Sequence, residues 1–178
     1  MKLNLGCGWR NFGTDWIHID GGDYDHLDYK DITKLEFDNN TVDLVYASHV
    51  LEYFDRSEVV SLLEEWYRVL KPGGIIRLAV PDFDMLSFLY KQGKVSLDSI
   101  LGPLYGKMKM GDNYIYHKTV YDLTSLSRIL TDAGFKAPQK YSWKKTEHAE
   151  YDDHSQAYIP HMDKDNGYLI SLNMEAIK

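Results

Sequence analysis

The stretch Leu3-Asn4-Leu5-Gly6-Cys7-Gly8, followed by Trp16-Ile17-His18-Ile19-Asp20, decides the fold. Each half is a short apolar run that ends abruptly, the first in glycines and the second in an acid before Gly21-Gly22. Glycine at a strand end lets the backbone turn tightly and approach a ligand with no Cβ in the way. A carboxylate at the tip of the neighbouring strand has the lone pairs to accept both hydroxyls of a ribose. The pattern is not that of a dinucleotide site, because position 10 is Arg10 instead of a third glycine and no helix-length segment follows. A Walker loop is also missing, since Gly73-Gly74 has no Lys-Ser/Thr behind it. A nucleoside without a pyrophosphate suits the stretch better.

Beyond these two runs, Asp28–Ile32 makes a weaker third, while 41–47 and 74–80 are nearly continuous apolar segments. Continuous apolar runs are the mark of strands buried on both faces of a parallel sheet. Asp55-Arg56-Ser57-Glu58 has capping-box spacing, and Val59, Leu62, Leu63, Trp66 and Leu70 follow at helical intervals until Pro72-Gly73-Gly74. Thr119 and Asp122 repeat that spacing before a helix over 122–133, whose stripe is Leu123, Leu126, Ile129, Leu130 and Ala133. A shorter helix is expected over 84–90, and 168–176 alternates as a final, half-buried strand. Segments 91–118 and 142–166 lack a stable period and read as long surface excursions, which tend to be functional in a compact domain.

The chain has 178 residues, 44 % of them hydrophobic, which fits one globular domain over 1–178. Twenty basic against 27 acidic residues leave a net charge of −7. Diffuse binding to nucleic acid or anionic lipid is therefore not expected, because phosphate binding draws on concentrated positive charge. Cys7 is the single cysteine, so an internal disulfide is excluded and a reducing compartment fits. No apolar stretch is long enough for a membrane span, and glycines by Gly6 interrupt any leader-like core. A cytoplasmic location is the expectation.

The run Leu3-Asn4-Leu5-Gly6-Cys7-Gly8 resembles the first motif of class I S-adenosylmethionine-dependent methyltransferases. The stretch from Phe37 to Phe54 is similar to that family's fourth strand and following loop. Arg68-Val69-Leu70-Lys71-Pro72-Gly73-Gly74, with Leu78-Ala79-Val80-Pro81-Asp82, looks like the type 11 signature. Tyr116-His117-Lys118 and Ser171-Leu172-Asn173-Met174-Glu175-Ala176 are similar to a small predicted subgroup often met near cell-surface polysaccharide genes. The resemblance implies an α/β, single-domain Rossmann-like methyltransferase sheet, mostly parallel with an antiparallel C-terminal strand. It implies S-adenosylmethionine as cofactor, with S-adenosylhomocysteine as product. Asp20 would take the ribose, Asp31 the exocyclic amine of adenine and Ile32 the face of its ring. Asn4, Gly6, Cys7, Gly8 and Ser48 would complete the cofactor site. Asn4 stands where many relatives carry an acid, and Arg10 where they carry glycine; on these departures rests an alternative, a methyltransferase fold kept as a binding or regulatory module. A nicotinamide-dependent sugar-nucleotide enzyme is a further alternative, for which Tyr67 and Lys71 have the catalytic spacing but sit in a helix away from any cofactor segment.

Methyl transfer to a hydroxyl or amine also requires removal of a proton, which calls for a base that titrates near neutrality. His49, just past the strand 41–47, and His117, before the helix at 122, are the candidates. Asp82, at the end of the strand 74–80, is a third, with a helix cap as its structural counterpart. Glu52 and Tyr53 extend the loop after His49 toward the acceptor side. His148, Asp152, His154 and His161 are metal-ligand types without compact ligand spacing, so no metal is expected. The acceptor is expected to be a small molecule, a saccharide or its precursor by analogy, with 91–118 acting as a partial lid.

The residues between the first three runs are too few for helical crossovers. Shortened early crossovers would leave one sheet face, carrying Leu3, Leu5, Ile17, Ile19, Val45 and Ile76, poorly covered. Either the two excursions fold over that face or a second copy does, and because the excursions are polar the twofold dimer is the preferred expectation.

Overall fold

The computed structural model describes all 178 residues. In chain order the elements are β1 (Lys2–Leu5), β2 (Trp16–Ile19), β3 (Val42–Ser48), α1 (Arg56–Val69), β4 (Leu70–Pro81), α2 (Phe83–Lys91), α3 (Leu97–Tyr105), β5 (Met108–Met110), β6 (Asn113–Ile115), α4 (Leu123–Asp132), β7 (Lys136–Lys140), β8 (Tyr158–Ile159), β9 (Tyr168–Leu169) and β10 (Ser171–Ile177). Six strands form one sheet in the order β2-β1-β3-β4-β10-β7. Strands β2, β1, β3 and β4 run parallel, and β10 is antiparallel to both β4 and β7. This is the mostly parallel Rossmann-like sheet with an antiparallel C-terminal strand. No helix lies between β1 and β2, where residues 6–15 are too few for one, and none lies between β2 and β3, although residues 20–41 leave room for it. No helix is long and apolar enough to cross a membrane.

Helix α1 starts where its cap dictates: the Asp55 carboxylate accepts from Ser57 N at 3.0 Å, and Glu58 accepts from Asp55 N at 3.0 Å. Its stripe of Val59, Leu62, Leu63, Trp66 and Val69 then joins Leu3, Leu5, Ile19, Val45, Ile76 and Leu78 in one core. Helix α4 adds Leu126 and Leu130 to the same core. Its cap is Asp122, accepting from Ser125 N at 2.7 Å, so the capping spacing applies one turn later than Thr119 suggests. Helix α1 ends at Val69, and the Pro72-Gly73-Gly74 segment forms part of β4, where a bulge shifts the register against β3 and Gly73 takes φ +80°.

Three expectations need correction. The run Asp28–Ile32 is not a strand and meets the sheet only through a parallel bridge between Ile19 and Tyr29. Side chains displace the ladder there: the Asp28 carboxylate accepts from His18 N at 2.8 Å, Asp31 closes a turn onto Thr33 N, and the Ile32 carbonyl accepts from Trp66 Nε1 at 2.8 Å. The excursion 91–118 is not irregular, since it holds α3 and the β5–β6 hairpin. Strand β7, which reads Lys-Ala-Pro-Gln-Lys without apolar alternation, was not foreseen.

The third correction concerns the sheet faces. Leu3, Leu5, Ile19, Val45 and Ile76 are not left bare; they are fully buried in the core built by α1 and α4. The opposite face carries Asn4, His18, Tyr46, Arg77 and Asn173, all buried although mostly polar. It is covered by Phe12 from the β1–β2 loop and by the segment 141–157. The Phe12 ring stacks on Tyr151 at 4.5 Å and on His148 at 5.8 Å. Tyr46 OH donates to Asp153, Asn173 Nδ2 donates to Ser155 O at 2.8 Å, and Arg77 pairs with Glu147 at 2.7 Å and Glu175 at 3.3 Å. Both faces are thus covered within one chain, and the dimer expectation loses the bare face it rested on.

Candidate active site

The carboxyl ends of β1, β2 and β3 open onto a cleft of about 1520 Å³, larger than the ~300–1,000 Å³ usual for small-ligand pockets and able to hold two ligands side by side. Gly6 turns the chain out of β1 with φ +66°, and a Cβ there would lie 2.3 Å from Val50 Cγ2. Its smallness therefore serves packing of the loop onto the segment after β3. Gly8, at φ +57°, faces open space instead, so the backbone at the cleft floor is bare. Asp20 is oriented from both sides: Oδ2 accepts from Gly8 N at 2.8 Å and Oδ1 from Gly22 N at 2.7 Å. Each oxygen keeps lone-pair capacity toward the cleft. Asp31 and the half-buried Ile32 line the same cleft. The hydrogen bonds from Thr33 hold the Asp31 carboxyl below its usual range. Ser48 Oγ, at the end of β3, is buried and has no hydrogen-bond partner. A bare glycine backbone, an oriented carboxylate, an apolar half-exposed surface and an orphaned hydroxyl together fit a nucleoside with a polar tail.

Two expected cofactor residues lie elsewhere. Asn4 is buried on the second sheet face beside His18 and Tyr46, in register with both, and does not line the cleft. Cys7 is buried behind the loop, its Sγ 3.6 Å from Gly8 O and 3.8 Å from His26 Nε2. Burial, with the nearby Asp20 charge second, pushes its thiol up to about 12, so it is not nucleophilic near neutrality. Asp82 is also corrected. Its side chain accepts from Met85 N at 3.1 Å as the cap of α2, and it is buried away from the cleft. Tyr67 packs on Phe135 in the α1–α4 core and Lys71 pairs with Asp43 at 2.7 Å, so neither reaches a ligand.

His49 and His117 both line the cleft. His49 Nε2 is 3.3 Å from Ser171 Oγ, which donates to Asn173 Oδ1 at 2.9 Å. Because the serine proton is committed to Asn173, His49 Nε2 must donate, and the neutral ring then has its free lone pair at Nδ1. His117 Nδ1 is 3.0 Å from the Pro103 carbonyl, which only accepts, so the lone pair of the neutral ring is on Nε2. Gly106 makes room for this ring: a Cβ there would fall 2.4 Å from His117 Nε2. Between the rings lies Glu52, which is fully buried, with Oε1 3.4 Å from His49 Nδ1 and 3.8 Å from His117 Nε2. Burial holds both histidines below their ordinary value and pushes Glu52 up to about 8. The sequence places Glu52 in the loop but gives no sign of this burial; the segment that closes over it comes from across the fold, with Lys118 N and Thr119 N donating to the Glu52 main-chain carbonyl.

The β5–β6 hairpin forms the other wall of the cleft, and a Cβ at Gly21 would lie 3.9 Å from the Met110 sulfur. Trp9, Tyr24, Tyr114 and Tyr116 stand exposed around the mouth. The excursion 142–166 divides its work. His148 and Asp153 lie under the second sheet face, while His154, Tyr158 and His161 line the cleft.

Residues 18–78 match a family described as a methyltransferase domain. Among curated protein sequences, none matches significantly. Solved structures share the fold across the chain. An S-adenosylmethionine-dependent methyltransferase from Archaeoglobus fulgidus superposes with a TM-score of 0.60 at 16 % identity, covering 99 % of this chain and 85 % of its own. The 1,6-didemethyltoxoflavin-N1-methyltransferase of Burkholderia thailandensis, solved with S-adenosylhomocysteine, gives 0.58 at 13 % identity, covering 99 % and 70 %. A putative methyltransferase from Haloferax volcanii, in complex with the activator Trm112, gives 0.54 at 17 % identity, covering 99 % and 80 %.

Proposed function

We propose that this chain is an S-adenosylmethionine-dependent methyltransferase acting on a hydroxyl or amine of a small molecule, a saccharide or saccharide precursor. The observation that carries the reading is the convergence of Gly8, Asp20, Ile32, Ser48 and His117 on one cleft at the carboxyl edge of the sheet. In this reading Asp20 holds the ribose hydroxyls, Asp31 meets the adenine amine, Ile32 lies on the ring and Ser48 Oγ takes a polar atom of the methionine tail. When bound, the cofactor supplies an electrophilic methyl group on a sulfonium, whose departure leaves a neutral thioether. The chain's own work is to orient the acceptor, keep water out and take the acceptor's proton. His117 is the base in this reading. Each ring keeps one free lone pair, His49 at Nδ1 and His117 at Nε2, and the His117 nitrogen stands farther from the Glu52 carboxyl, 3.8 Å against 3.4 Å, which leaves it freer for the acceptor. The ring of exposed aromatics at the mouth supports a saccharide acceptor, because their flat, half-apolar faces suit the C–H faces of a sugar ring.

Calorimetric titration with S-adenosylhomocysteine tests the cofactor half, and micromolar binding is the expected result. No binding overturns the proposal. A screen of nucleotide sugars with homocysteine release as the readout then tests the acceptor half. Turnover on amine metabolites alone would reject the saccharide.

A further inference from the structure

Glu52 is a carboxyl side chain with no exposed surface, and neither of its oxygens has a hydrogen-bond partner. A buried carboxyl left so bare costs several kcal/mol when ionised in isolation, so its proton is part of the arrangement. The groups around it come from four segments. From its own turn comes Tyr53 and from the residue after β3 His49; from the start of α1 comes Arg56, whose Nε donates to Thr119 Oγ1 at 2.9 Å. From the segment before α4 come His117, Tyr121 and Lys118, the last with its ammonium 3.5 Å from Glu58. Tyr121 is buried and directs its hydroxyl to Leu51 O at 3.4 Å. Behind His49 lie the His154 ring, 5.1 Å away, and the Arg10 charge. None of the cations pairs with Glu52, and the only basic atoms turned toward it are His49 Nδ1 and His117 Nε2.

We propose that Glu52, His49 and His117 form one proton-sharing unit beneath the acceptor side of the cleft, with Glu52 as the positioning residue that holds the unit's single proton between two ring nitrogens. The lone-pair assignments made independently for the rings fall on the two nitrogens nearest the carboxyl, at 3.4 Å and 3.8 Å, so an acidic hydrogen on Oε1 has two acceptors that a small side-chain shift brings into hydrogen-bond distance. This inference rests on the methyl-transfer reading for its purpose. In that reaction the hydrogen on Glu52 Oε1 turns to His49 Nδ1, the nearer nitrogen at 3.4 Å, which leaves His117 Nε2 free to take the acceptor's proton as its O–H or N–H bond breaks, and the imidazolium so formed releases that proton to solvent when the cleft opens. Oxidation states do not change. Removal of the proton at high pH makes the unit a stronger base, so the three residues titrate as a set.

Ring-resolved nuclear magnetic resonance of the histidines as pH is raised from about 5 to 10 is the test, with wild type beside Glu52→Gln. In wild type, His49 and His117 should both show an inflection near pH 8 in addition to their own low titrations. In Glu52→Gln that inflection should vanish from both rings, while His148, on the far sheet face and held down near 4, shows no step near pH 8 in either protein. Two rings that titrate separately, without a shared step, and identically in the variant would overturn the unit. Should the variant fold poorly, infrared spectra of wild type suffice: a protonated-carboxyl stretch present at pH 6 and lost by pH 10 is expected, and its absence at pH 6, with no imidazolium signal from either ring, refutes the proposal. S-adenosylhomocysteine titration of the same samples separates the two claims. Binding with no shared step sinks the unit alone, and a shared step without binding sinks the methyl-transfer reading alone.

Discussion

At the scale of residues, two positions in the glycine loop do different work, and substitution should separate them. Asp20 is held by Gly8 N and Gly22 N with capacity left over for a ligand. Asp20→Ala should weaken S-adenosylhomocysteine binding by roughly 1.5–3 kcal/mol, the scale of hydrogen bonds to a charged group. Calorimetry that finds an unchanged affinity would remove Asp20 from the cofactor site. Gly6→Ala should instead lower stability, by about 1–3 kcal/mol, because the new Cβ meets Val50 Cγ2 and the φ of +66° is strained for alanine. A urea midpoint equal to wild type would contradict the packing role. Much at this scale is legible in the sequence: Gly8, Asp20, Asp31, Ile32, Ser48, His49 and His117 do meet at one cleft. Asn4, Cys7 and Asp82 mislead because side-chain direction decides their fate. Asn4 falls on the far face by strand alternation, Cys7 turns behind its loop, and the Asp82 carboxylate is used up as a helix cap.

At the scale of elements, the segment 141–157 takes the place of the helices that the connections after β1 and β2 lack. Its physics is written in the strands. Asn4, His18, Tyr46, Arg77 and Asn173 alternate with Leu3, Ile17, Val45, Ile76 and Leu172. A period of two in strands of a parallel sheet signals two covers of unlike chemistry, one apolar and one polar. The weak link in the polar cover is His148, buried against Phe12 and Tyr46 with neither ring nitrogen bonded. Burial pushes its pKa down from 6.5 to about 4. The folded chain therefore keeps this ring neutral while the unfolded chain takes up a proton below pH 6.5, so the contribution of His148 to stability is intact above 6.5 and is lost as pH falls toward 4. The loss should reach about 3 kcal/mol. His148→Phe, which cannot take up the proton, should show a flatter decline in unfolding free energy over this window. Parallel wild-type and variant curves would show that the ring is solvated or paired.

At the scale of the whole molecule, this chain makes a Rossmann-like sheet without its early helices and covers both faces by unequal means. Composition and element order announce the first part, since apolar runs with only ten residues between the first two leave no room for a helix there. They do not announce the second, because a polar excursion read residue by residue looks like solvent-facing loop. Its burial depends on partners more than a hundred residues away, such as Tyr46 with Asp153 and Arg10 Nε with Asp152 O at 2.9 Å. The consequence is that protection of the central strands belongs to one chain. Hydrogen exchange at the amides of β1 and β3 should be the slowest in the molecule and should not change over about a hundredfold dilution, since nothing that dissociates covers them. Arg77→Met, which removes the ion pairs to Glu147 and Glu175, should speed exchange in β4 and β10 before it affects β1. Faster exchange of β1 and β3 on dilution would mean that a second copy supplies part of the cover after all. The segment 141–157 would then be a hinge between subunits instead of the cover for the second face.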